Sequence, residues 1–152
     1  MIHFNYIKSR DKIKNFIENK RTFSLQNPKE RCFGYIKGES TAETSGQKRC
    51  DYIICFDFGN NDRNPLDPTN YLFVELKGSD NEKAFGQILA TIQYFLQKGY
   101  TRGKHVDCFI VSGTCPSVDS QKQIFMAKFP YKKAPYNYSL KFKTNSDEYE
   151  IK

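Results

Sequence analysis

Apolar and polar positions change period several times along this chain, and each change marks an expected element. In residues 9–20 (SRDKIKNFIENK), Ile13, Phe16 and Ile17 fall at i, i+3 and i+4. That stripe predicts a short amphipathic helix, with Ser9 placed to cap it and Asp11 in its first turn. Residues 21–30 read as a loop that stops at Asn27-Pro28. Residues 31–38 (RCFGYIKG) suit a strand, the small polar run 39–48 a connection, and 49–58 (RCDYIICFDF) a second strand rich in β-formers. The turn-forming stretch GNNDRNPLDPTN leads to 71–77 (YLFVELK), so these two strands are expected to form a hairpin. A longer helix follows. Phe85, Ile88, Leu89, Ile92, Phe95 and Leu96 give it a wide apolar face, Ser79 and Glu82 have capping-box spacing, and Gly99 is a stop. Residues 105–112 (HVDCFIVS) are apolar on both faces, as in a buried strand, and strand–helix–strand implies a right-handed parallel crossover.

Beyond residue 112 the pattern changes. Between Ser120 and Lys143 lysines alternate with Phe125, Phe129, Tyr131, Tyr136, Tyr138 and Phe142, without an acid. SLKFKT and EYEIK flank Asn145-Ser146-Asp147 and alternate like a terminal hairpin. The expected order is α, β, β, β, α, β, then a basic β-rich tail. It amounts to one α/β domain over residues 1–152, with a core at about 9–112 and an extension at about 113–152.

Composition narrows the class. Leu, Ile, Val and Phe make up about a quarter of the chain, above the roughly one-fifth below which disorder is favoured. No apolar run approaches about 18 residues, so no membrane span is expected, and the first ten residues lack the apolar stretch of a secretory signal. Cys32, Cys50, Cys55, Cys108 and Cys115 show no CxxC pair. They read as buried thiols of a protein in the reducing cytoplasm. The net charge of +7 favours a polyanionic partner without naming one.

The chemistry concentrates in two strands. Residues two apart in a strand share a face, so Glu75 and Lys77 project together, and Asp51 joins them if its strand pairs with theirs. Glu-x-Lys is usually a solvated, charge-paired surface. Here it follows Leu72, Phe73 and Val74 in a strand expected to be covered, and charge there needs a reason. Two close carboxylates repel unless a cation neutralises them, and their oxygens suit Mg²⁺ or Mn²⁺, with the Leu76 carbonyl as a further ligand. A lysine beside such a site can stabilise charge developing on phosphorus or orient an attacking water. Gln87 lies about two helical turns in, off the apolar stripe, roughly 10 Å from the helix start. A helix folding back along the strand brings it level with Glu75 and Lys77.

Three segments together carry a resemblance. Arg49-Cys50-Asp51-Tyr52-Ile53-Ile54, Phe73-Val74-Glu75-Leu76-Lys77-Gly78 and Ala84-Phe85-Gly86-Gln87-Ile88 resemble the core of the PD-(D/E)XK nuclease superfamily. That superfamily includes the restriction endonucleases. The resemblance covers about residues 9–112 and implies a restriction-endonuclease-like αβββαβ core, with a mixed sheet flanked by helices. It implies a metal-dependent nuclease with Asp51 and Glu75 as ligands of Mg²⁺ (or Mn²⁺), Lys77 catalytic and Gln87 accessory. The family's proline before the aspartate is replaced by Cys50, and the segment from Asp51 to Glu75 is long. A further acid on the first helix falls to Glu18, with Glu39 as the competing choice. Small members often act as homodimers, which the resemblance extends to this chain.

The expected partner is nucleic acid, DNA first, held by Lys48, Arg49, Lys122, Lys128, Lys132 and Lys133. The alternative is a catalytically silent module of the same fold that binds nucleic acid, or a protein partner in a defence or repair assembly. Other features weigh less. Asp57, Asp62 and Asp67 lack EF-hand spacing, His3 and His105 lack partners for a hydrolytic triad, and no GxxxxGK loop exists.

Overall fold

The computed structural model describes residues 4–57, 68–78, 80–113 and 118–152, save for the side chains of 118–121. Its strands are β1 (Ile7–Ser9), β2 (Ile13–Glu18), β3 (Arg21–Gln26), β4 (Phe33–Lys37), β5 (Tyr52–Phe56), β6 (Asn70–Leu76), β7 (His105–Ser112), β8 (Ser139–Thr144) and β9 (Ser146–Glu150). Its helices are α1 (Asn81–Gln97) and α2 (Val118–Lys128). The architecture is α/β. A six-stranded mixed sheet runs β1-β4-β5-β6-β7-β8, antiparallel as far as β6 and parallel from β6 to β8. A second sheet runs β2-β3-β9.

Strand alternation sorts the apolar side chains into two layers. Ile53, Cys55, Tyr71, Phe73, Cys108 and Ile110 face the helices, where they meet Ile88, Ile92 and Phe95 of α1 and Phe125 of α2. Ile54, Leu72, Val74, Leu76, Phe109 and Val111 face the small sheet and meet Phe16, Phe23 and Leu25. The central sheet is thus buried on both sides, which explains the continuous apolar runs of β6 and β7. Among the described residues no helix is long and apolar enough to cross a membrane. Cys32, Cys50, Cys55 and Cys108 are buried free thiols, and Cys115 lies outside the described residues.

The β5–β6 hairpin, α1, β7 and the parallel β6–β7 pairing all follow the expected order. Ser79 lies outside the described residues, and the N-cap of α1 is Asp80, whose carboxylate accepts from the Lys83 amide.

Three expectations are corrected. Residues 9–20 are not a helix: β2 and β3 form a hairpin closed by Asn19 and Lys20, both at positive φ (51° and 59°). A two-residue turn with both residues left-handed matches strand twist, and Asn tolerates that conformation. Of the three residues in the apparent helical stripe only Phe16 is buried, while Ile13 and Ile17 are 58% and 59% exposed. Residues 21–26, read as loop, are β3. The tail is not wholly β, nor does it end in a hairpin. It opens with α2, then Asn145 (φ 66°) turns the chain so that β8 joins β7 while β9 joins β3 in the other sheet.

Candidate active site

The site forms where the β5–β6 ladder ends. The last paired residues are Tyr52 and Val74, so Asp51 and Glu75 lie level just beyond them, on the α1 side of the sheet. Each carboxylate then takes the place of a ladder carbonyl. Glu75 Oε1 accepts the Asp51 amide at 3.0 Å, and Asp51 Oδ2 accepts the Leu76 amide at 2.8 Å. Gly38 permits this geometry: its amide donates to the Asp51 carbonyl at 2.9 Å, and a Cβ there would lie 1.7 Å from the Cys50 carbonyl oxygen.

Lys77, two residues on, shares the face of Glu75 and holds its Nζ 3.6 Å from Glu75 Oε2. Glu75 is fully buried while Lys77 keeps 20% exposure, so the lysine is the group at the boundary with solvent. Burial first, and the neighbouring Asp51 charge second, push the Glu75 carboxyl up to about 8, with Lys77 opposing. Burial also raises Asp51, against the Leu76 amide bond that favours its charged form.

Gln87 reaches from α1 to the backbone just before Asp51 and lines a cleft with it. Its Nε2 donates to the Arg49 carbonyl at 3.2 Å, and one turn later the Thr91 hydroxyl accepts the Cys50 amide at 2.8 Å. Helix α1 thereby clamps the backbone that enters β5. Glu75 Oε2 and Gln87 Oε1 are both buried with no hydrogen-bond partner. Buried acceptors left open beside two carboxylates are chemically suited to a cation or its bound waters. Among the described residues there is no cluster of three His, Cys, Asp or Glu side chains able to close a metal site. A Mg²⁺ ion fits this donor set, because it keeps several waters and takes one or two carboxylates. Asp51 and Glu75 are the residues that would hold it, and the Leu76 carbonyl, expected as a further ligand, already accepts from Asn19 Nδ2 at 2.8 Å and has one lone pair left to offer.

Asp51 and Gln87 open onto a cleft of about 660 Å³ lined also by Glu18, Lys37, Glu39, Lys48 and Lys83, among others, whereas Glu75 and Lys77 are not among its lining residues and meet it through Asp51. Both candidates for a further acid therefore reach the same cleft. Glu18 comes from the end of a strand rather than a helix, its Oε1 accepting from the Tyr52 hydroxyl at 3.1 Å and lying 3.8 Å from Lys37 Nζ. Lys48 is exposed at the rim, whereas Arg49 is engaged inward. The Arg49 guanidinium donates to Thr41 Oγ1, the Lys48 carbonyl and Gln47 Oε1, and sits 3.8 Å from the centre of the Tyr94 ring. Lys122, Lys128, Lys132 and Lys133 belong to α2 and the 3-10 turn at Pro130–Lys132 or just after it, and do not line this cleft. Asp57 hydrogen-bonds Asn70 and Arg31, while His3, Asp62 and Asp67 lie outside the described residues.

Three contributors escaped the sequence reading. Lys83 precedes Gln87 by one helical turn, so placing Gln87 in the cleft already implied it. Lys37 sits at the end of β4, beside Gly38. Asn19 donates from Nδ2 to the Leu76 carbonyl at 2.8 Å across 57 positions of sequence, a contact that no local pattern announces. No protein-family model, curated protein or solved structure matches this chain.

Proposed function

We propose that this chain is a metal-dependent nuclease of the PD-(D/E)XK type, with a restriction-endonuclease-like core, hydrolysing phosphodiester bonds of nucleic acid with DNA as the expected substrate. The observation that carries this reading is the interlocked Asp51–Glu75 pair with Lys77 at 3.6 Å from Glu75, of which Asp51 lines a cleft that Lys37, Lys48 and Lys83 also line. A divalent cation held by Asp51, Glu75 and the Leu76 carbonyl would neutralise the pair and polarise the scissile phosphate.

The remaining work falls to the chain's own groups. Lys37, Lys48 and Lys83 attract and orient the phosphate backbone entering the cleft. Lys77 Nζ, at the solvent boundary, donates to a phosphate oxygen as negative charge builds or holds the attacking water. Gln87, tied by its nitrogen to the Arg49 carbonyl, turns its oxygen to that water or to the Lys77 ammonium. Asn19 fixes the Leu76 carbonyl, and with it the register of Glu75 and Lys77. Homodimers and a cytoplasmic location belong to the same proposal, the latter supported by buried free thiols.

The test is cleavage of labelled single-stranded, double-stranded and branched DNA and of RNA, in Mg²⁺, Mn²⁺ or EDTA. Metal-dependent cutting that disappears in Lys77→Ala and Glu75→Ala is the expected result. Binding without cutting of any substrate would replace the enzyme by a silent nucleic-acid-binding module.

A further inference from the structure

Helix α1 ends far from Gln87, and a second cleft of about 590 Å³ opens there. Leu96 and Gln97 reach it from α1, Arg102, Gly103 and Lys104 from the turn before β7, and Pro135, Tyr136 and Tyr138 from the connection before β8. Tyr138 ties these pieces together, donating its hydroxyl to the Thr101 carbonyl at 3.4 Å. Tyr136 stands at the opening, 39% exposed, with its ring 5.3 Å from Tyr131 and 5.7 Å from Tyr138. Two neighbouring rings hold it in place, so little side-chain freedom is left to lose when another flat group stacks on it.

The charge here has one sign. Arg102 and Lys104 line the cleft, and no described lining residue is acidic. Lys132 and Lys133 are exposed on the adjoining turn, and the Tyr136 and Asn137 amides both donate to the Lys133 carbonyl at 3.1 Å. An exposed aromatic alone suits many apolar ligands, and lysines alone suit any polyanion. Stacking ring and cations in one cleft match a ligand with a flat face and phosphates on either side. In a duplex the base faces are covered by their neighbours, so the ring requires an unpaired base.

We propose that this cleft binds single-stranded nucleic acid, with one base on Tyr136 and the flanking phosphates on Arg102, Lys104, Lys132 and Lys133. The proposal deepens the nuclease reading and takes its biological sense from it. The two clefts flank opposite ends of α1: Gln87 and Leu96 are nine residues apart, or roughly 14 Å of helix rise. A strand lying along α1 would be anchored in the second cleft while the first acts on it, so the substrate class is nucleic acid with a single-stranded segment.

The chain contains no tryptophan, so Tyr136→Trp introduces a single reporter. Titration with an unlabelled oligo-dT in EDTA, where no metal-dependent cutting occurs, is expected to quench its fluorescence, and a blunt duplex is expected to do so far less. Tyr136→Ala should weaken single-strand affinity by about tenfold or more. Arg102→Ala with Lys104→Ala should lower the slope of log affinity on log salt by about 1.4. An unquenched reporter, or affinity unchanged in both variants with native circular dichroism, overturns the second cleft, and metal-dependent cutting retained by the parent chain would leave the nuclease standing. Quenching in a chain that cuts nothing establishes the cleft and sinks the nuclease.

Discussion

Asp51 and Glu75 hold each other's strands: the Asp51 amide donates to the Glu75 carboxylate at 3.0 Å, and the Asp51 carboxylate accepts the amide after Glu75 at 2.8 Å. Two acids that would repel in isolation are fixed level by the backbone they serve. The arrangement couples the chemistry of the site to folding, and a consequence for pH follows.

The Glu75 carboxyl is raised from the ordinary 4.5 to about 8, so the folded protein holds that proton more tightly than the unfolded chain. The resulting stability is complete below about 4.5 and is lost as pH rises through about 8. Each unit of displacement is worth about 1.4 kcal/mol. Thermal melts in EDTA across pH 5 to about 8.5 should therefore decline in the parent chain and flatten in Glu75→Gln. Mg²⁺ should raise the melting temperature more at the upper end of that range than at pH 5, because it displaces the proton. An equal slope in both proteins removes Glu75 as the cause.

Lys77→Ala is expected to cut cleavage by about 10²-fold or more while leaving nucleic-acid affinity near that of the parent. Gln87→Ala, which also frees the Arg49 carbonyl, should cost less. Single-turnover rates beside equilibrium binding separate these effects.

Asn19 offers a sharper test of geometry. Gly tolerates the left-handed backbone (φ 51°) but cannot reach the Leu76 carbonyl, so Asn19→Gly should lower the cleavage rate about tenfold at little cost in stability. Asn19→Ala adds roughly 1 kcal/mol of backbone strain to the same loss. Urea titration distinguishes the two, and a fully active Asn19→Gly would dismiss the contact as irrelevant to the site.

Arg49 and Lys48 are adjacent but differ in kind. Arg49→Gln should destabilise by about 1–3 kcal/mol, since the guanidinium is buried on Thr41, Gln47 and Tyr94. Lys48→Ala should leave the melt unchanged and weaken nucleic-acid binding in a salt-dependent way. Reversed outcomes would make Arg49 the phosphate contact.

Gly38→Ala places a Cβ 1.7 Å from the Cys50 carbonyl oxygen. The turn must move away from β5, taking with it the amide that supports Asp51. A large loss of stability is expected in a urea titration, and an unperturbed variant would show that the segment before Asp51 is pliable.

The strands and helix around the site were legible because their burial agrees with their period. β5 and β6 run apolar on both faces since the sheet is covered twice, and α1 shows one wide stripe since it is covered once. Asp51, Glu75 and Lys77 could be placed on one face from spacing alone, because pleat alternation is a local property. Residues 9–20 defeated the same reasoning. Ile13, Phe16 and Ile17 fit a helical stripe, yet only Phe16 finds cover, packed against Tyr35 and Tyr52 of the neighbouring sheet. The left-handed Asn19-Lys20 pair, not hydrophobic periodicity, sets that hairpin.

By itself the sequence determined which segments are strands or helix around the carboxylates, and which acids and lysine share a face, since both are consequences of nearest-neighbour geometry. Only the tertiary structure decided that SLKFKT and the strand after it part into different sheets, that Arg49 turns inward, and that Asn19 reaches Leu76. Those outcomes rest on contacts between residues far apart in the chain. Local patterning says that a strand will form, but the partner is chosen by what remains unburied once the other layers have packed.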